Sequence, residues 1–131
     1  MKACTLRPRQ MFLTVVAGLA VASSAAWAEP SNKWRIEFNE AAQSDGSIVF
    51  SVMRQGAVPV QVVTNVPGGL TENDIADLVG KSFKTTLNAG YQIEIDDGEH
   101  VLVKKDDDSP DFEIRLVSST VPGVEIDLQR E

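Results

Sequence analysis

A mismatch of cover constrains this chain more than any other feature: seven short alternating runs stand against one helical stripe. "KWRIEF" sets Trp34, Ile36 and Phe38 on one side and Arg35 and Glu37 on the other, the pattern of a half-buried strand. "SIVFSVMR" repeats it with Ile48, Phe50 and Val52, and "VPVQVVT" with Val58, Val60 and Val62. Pro59 cannot donate to a ladder, which places this third strand at an edge or makes it irregular. Beyond the helix come "YQIEI", "HVLVK", "FEIRLV" and "VEIDL". Their inward sides read Tyr91, Ile93 and Ile95, then Phe112, Ile114 and Leu116, then Val124, Ile126 and Leu128. Asp97-Gly98 is a hairpin signal between the first two of them.

The order βββ-α-ββββ, joined by short connections, predicts an α+β fold. Its expected form is one mostly antiparallel sheet of six to seven strands with the helix packed on one face. A helix is about 10 Å wide and strands lie about 4.8 Å apart, so one helix shields two or three strands. Either the sheet folds over on itself, or a partner covers the remainder.

Thr71 reads as the helix N-cap, with Asp74 three residues on in a variant of the capping box. Ile75, Leu78, Val79, Phe83 and Leu87 form the apolar stripe, and Gly90 follows as a stop. Gly80 costs the helix about 1 kcal/mol relative to Ala and would admit a strand closely. The Pro67-Gly68-Gly69 segment before the cap raises the question of phosphate binding. Glu72 and Asp74 already fill the field of the helix N-terminus, and Gly69 is followed by Leu70-Thr71 where a phosphate loop has Lys-Ser/Thr. The segment reads as a turn.

Residues 1–28 read as a signal peptide. Lys2, Arg7 and Arg9 precede an apolar run from Met11 to about Ala22, and Ala26-Trp27-Ala28 fits a cleavage site with the cut after Ala28. The run is about 12 residues, short of the ~20 a membrane-spanning helix needs. Cys4 would leave with the leader, so the mature chain carries no cysteine, no disulfide and no thiolate chemistry. The expected compartment is the periplasm or the outside of a bacterium. Residues 29–131 then form a single small domain.

Three of the 12 Lys and Arg belong to the leader, which leaves nine against all 19 Asp and Glu, a formal charge of −10. Nucleic acid and anionic membrane surfaces are poor partners for such a chain.

Few residues suggest chemistry. Asp106, Asp108 and Asp111 could offer oxygens to Ca²⁺ weakly, but Asp111 stands where an EF-hand loop has its glycine and Val117 where it has its glutamate. His100 is the only histidine, so a zinc site lacks a second His or Cys. Glu94 and Asp96 share a strand face about 7 Å apart, a spacing an inverting glycosidase could use. Polar residues recur in the same way on most strands, as in Glu113 and Arg115 or Glu125 and Asp127, and describe a wet face. No catalytic residue and no cofactor is expected.

Three stretches carry a resemblance: "IVFSVMRQGAVPVQVVT", "TENDIADLVGKSFKTTLNAGYQIEIDDGEHVLVKK" and "DFEIRLVSSTVPGVEIDL". From Ile48 to Leu128 the chain resembles a small module of bacterial surface and phage tail assemblies, including the inserted motif of flagellins and filament-cap proteins. The resemblance implies a structural or adhesive role, without catalysis. The expectation is therefore an exported, non-enzymatic interaction module that binds a protein partner or itself. Val124, Ile126 and Leu128 on the last strand are its candidate contacts, with strand addition at "VEIDLQRE" one route. The alternative is a soluble binder of a small ligand, sugar or divalent cation, with acidic loops 96–99 and 106–111 at the mouth of a folded-over sheet.

Overall fold

Alternation in the sequence becomes seven strands and one helix in a computed structural model that describes residues 30–87 and 89–131. The expected leader, Cys4 and the cut after Ala28 lie outside the described residues. The elements are β1 (Lys33–Asn39), β2 (Gly46–Arg54), β3 (Val60–Val66), α1 (Glu72–Thr86), β4 (Tyr91–Asp96), β5 (His100–Lys105), β6 (Phe112–Ser119) and β7 (Glu125–Arg130).

The strands form two antiparallel sheets where one was expected. One has four strands in the order β4-β5-β1-β7, the other three in the order β3-β2-β6. The cause lies in the segment after β1. Glu40 takes a φ of 71°, in the left-handed region, and turns the chain away from β1. β2 therefore opens a second sheet, while β1 pairs with β5 and β7.

Both sheets and the helix share one core. Ile36 and Phe38 of β1, Ile48 and Phe50 of β2, Val62 of β3, Val101 and Val103 of β5 and Phe112 of β6 are fully buried in it. Burying such a side chain is worth roughly 1.5–3 kcal/mol. The sheets are also tied by polar contacts around Phe112. Its carbonyl accepts the Ser31 amide at 2.8 Å and the Trp34 indole N–H at 2.9 Å. The chain thus covers its own apolar faces by folding over, the first of the two routes open to it.

Helix α1 joins the sheets. The Thr71 hydroxyl accepts the Asp74 amide at 3.3 Å, as the capping reading requires. Ile75, Ala76, Val79 and Phe83 are buried, and the helix packs on β3 of one sheet and on β1, β4 and β5 of the other. The Phe83 and Phe50 rings lie 5.6 Å apart. Gly80 admits β4: a Cβ there would meet the Ile95 Cδ1 at 2.7 Å.

Four inward assignments change. Val58 precedes β3 and is 80% exposed, and Val60 at the strand's open end is 41% exposed, so the inward residues of β3 are Val62, Thr64 and Val66. Leu116 still pairs with the buried Phe50, ahead of the register shift that sets Val49 against Ser118, but on the edge strand β6 it is 39% exposed. Ile95 is exposed too, lying over Gly80 at the sheet margin.

Candidate functional site

The outer face of the four-stranded sheet carries an ion-pair network centred on Arg35. β1 sets Lys33, Arg35 and Glu37 outward by its alternation, and β5 places His100 opposite Glu37. Arg35 Nε donates to Glu131 Oε2 at 2.6 Å, and its Nη1 lies 3.2 Å from Asp96 Oδ2 and 3.0 Å from His100 Nδ1. A guanidinium only donates, so Nδ1 must be the accepting nitrogen of His100. That fixes the tautomer with the proton on Nε2, which faces Glu37 Oε2 at 3.4 Å. The Arg35 hydrogen bond holds the Glu131 carboxyl below the usual carboxylate range, partly opposed by burial and helped by Lys33, and Glu131 in turn raises Arg35. Beneath the network Leu102, opposite Arg35 in the ladder, is 7% exposed. Long charged side chains shelter it from water.

Asp96, Asp97 and His100 are the group among the described residues whose donor atoms lie within 4.8 Å of one another. Arg35 already bonds two of the three, so a cation would meet a guanidinium inside its own ligand set. The Ca²⁺ candidates Asp106, Asp108 and Asp111 do not form such a group. Asp106 instead accepts Gln92 Nε2 at 3.1 Å, and its carbonyl takes the Ser109 amide at 3.0 Å, closing a turn.

The two acidic loops stand apart. Loop 97–99 closes the β4–β5 hairpin at Asp96 and His100, whereas loop 106–111 follows its other end at Tyr91 and Lys105. No common mouth brings them together. A groove of about 340 Å³ does open beside the hairpin's far end, lined by Val52, Arg54, Val58, Val60, Leu87 and Tyr91. Arg54 lies 4.6 Å over the Tyr91 ring, and its Nε donates to the Tyr91 hydroxyl at 3.1 Å. Its Nη2 donates to the Ala89 carbonyl at 2.6 Å, so its charge is engaged in holding β2 against β4.

The glycine segment before α1 turns the chain. The Gly68 amide donates to Asp45 Oδ1 at 2.7 Å and the Gly69 amide to the Ala42 carbonyl at 2.8 Å. Both glycine amides are thus bound within the protein and serve the turn.

Val124, Ile126 and Leu128 are half-buried and pack against the core, so they form no free apolar face. The opposite side of β7 presents Glu125 and Asp127. Exposed apolar side chains lie elsewhere: Ile95 on β4, Leu116 and Val117 on β6, and a group of valines at β3. Val58, Val60 and Val63 are 80%, 41% and 52% exposed, all on or beside β3, the edge of the three-stranded sheet. Among the described residues the β3 backbone bonds to β2 alone. From Gln55 to Thr71 the chain has no charged residue, whereas the other edge strands β4, β6 and β7 each carry at least two. That charge-free run was the available signal in the sequence, and reading β3 only for its core residues passes over it.

Comparison of the chain with protein families, with curated proteins and with solved structures finds no match.

Proposed function

We propose that this chain is an exported, non-enzymatic protein-interaction or structural module, acting by strand addition at the free edge of β3. The observation that carries this reading is the uncharged, valine-rich edge strand on an otherwise acidic chain. Edge strands are ordinarily protected by charge, above all by lysine, because their free N–H and C=O groups template further pairing. β3 lacks that protection and offers main-chain bonds together with apolar side chains, the two elements of strand-addition recognition. The reading keeps the structural or adhesive role that the surface-assembly resemblance implies, and moves the contact from β7 to β3. Export follows from residues 1–28 read as a cleaved leader, and predicts a mature protein that begins at Glu29.

A photoreactive side chain at position 63, with position 117 as control, tests the proposal in the exporting cell. Val63 and Val117 are equally exposed, at 52%, on the same sheet, but β6 faces away from the proposed edge. Covalent protein adducts confined to position 63 are expected. Equal adducts at both positions, or none, would overturn the reading.

A further inference from the structure

We propose that the strand added to β3 is the β3 of a second copy, paired antiparallel about a two-fold axis through Val63. This inference rests on the strand-addition reading and names its occupant. Two three-stranded sheets would then join into one of six strands.

The sequence around Val63 is symmetric in the manner such an axis requires. Read outward from Val63, "PVQVVTNVP" pairs Val62 with Thr64, Gln61 with Asn65, Val60 with Val66 and Pro59 with Pro67. Each pair matches in kind: two β-branched side chains of similar shape, two amides, two valines, two prolines. In an antiparallel pair, opposed residues share a face, so an axis centred on a residue keeps inward side chains beside inward ones. Val62, Thr64 and Val66 are buried on one face, while Gln61, Val63 and Asn65 are exposed on the other. No inward residue of one copy opposes an outward residue of the next. The Gln61 amide faces the Asn65 amide of the other copy, and Val63 faces itself.

The prolines set the register. Neither Pro59 nor Pro67 has an N–H to give, so pairing is confined to Val60–Val66 and a slipped alignment loses donors at one end. Charge selects the same strand. With −10 on each mature chain, most self-contacts bring acid against acid, and pairing β7 about its Asp127 would oppose two aspartates. The stretch from Gln55 to Thr71 is free of that repulsion. Seven residues a side is small against the 20–30 of a standard interface, so the dimer forms reversibly and grows with concentration.

The test uses cysteine placed at the axis. Opposed Cα atoms in an antiparallel pair lie about 4.5–5.5 Å apart, within disulfide reach. The protein is purified from the exporting cell, with the unsubstituted chain as the blank for Cys4. Under mild oxidation Val63→Cys is expected to give about tenfold more disulfide dimer than Val117→Cys, each variant being first shown folded by Trp34 fluorescence. Light scattering of the unsubstituted protein should show mass rising towards a dimer with concentration. Val63→Lys, which opposes two ammonium groups at the axis, should abolish that rise. Equal cross-linking at 63 and 117, or a rise in mass untouched by Val63→Lys, would overturn self-pairing. So would a monomer at every concentration with no Val63→Cys dimer. Photo-adducts from position 63 to other polypeptides would then leave the strand-addition reading standing, while their absence would remove it as well.

Discussion

Thr64 shows how one atom can stand against its surroundings. It is 2% exposed on the inward side of β3, opposite Ile48, and its hydroxyl has no hydrogen-bond partner among the described residues. An unsatisfied buried hydroxyl costs roughly 1–3 kcal/mol, and valine has nearly the same shape. Thr64→Val is therefore expected to stabilise the protein by about 1 kcal/mol, read as a higher urea midpoint at unchanged slope. Glu131 makes the opposite case, a charged group whose partners are in place. Its carboxyl is held below its usual range by Arg35, so its contribution is present above an unfolded value of about 4.3 and fades as pH falls through the lower folded value. Its side chain is 29% exposed, which limits the contribution to about 1 kcal/mol. Glu131→Gln should lower the melting temperature at pH 7 and match the unsubstituted protein near pH 2. An equal deficit at both pH values would show that the charge is irrelevant.

At the scale of elements, local rules were legible wherever local chemistry decided the outcome. The Thr71 cap, the Pro67-Gly68-Gly69 turn and the hairpin at Asp97-Gly98 follow from the residues present. Asp97 and Gly98 both take positive φ, at 52° and 77°. Gly80 meets Ile95 where an added methyl would intrude on β4. Strand ends were less legible. Period-2 alternation assigns Val58, Leu116 and Ile95 to the inside, but alternation fixes only the side a residue points to and not whether anything lies there to cover it. Val58 stands before its strand begins, Leu116 beside a register shift, and Ile95 at the sheet margin. His100 shows the converse. The hairpin reading places it on the surface, yet Arg35 and Glu37, distant in sequence, leave its side chain 17% exposed.

For the whole molecule, one shared core means one cooperative unit. Phe83 lies where α1 meets both sheets, beside Phe50, and Phe83→Ala should cost about 3–5 kcal/mol. Because Trp34 in β1 reports on the four-stranded sheet, its fluorescence and the far-ultraviolet dichroism should lose stability together in this variant. Separate transitions would mean the two sheets unfold independently. The candidate surface belongs to this scale as well. The proposed pairing surface exists because β3 ends a sheet and leaves Val63 in solvent.

The sequence by itself determined the α+β class, the helix with its cap, the seven strands and the acidity of the chain, and left β3 as either an edge or an irregular strand. Each depends on neighbours a few residues apart or on composition. The division into two sheets, the Arg35–His100–Asp96 network and the separation of the acidic loops were decided by tertiary structure. Strand order depends on which distant strands bury each other best, and β1 joins β5 and β7 across most of the chain. Alternation is the same whichever neighbour a strand takes, so it records an apolar face without recording what covers it.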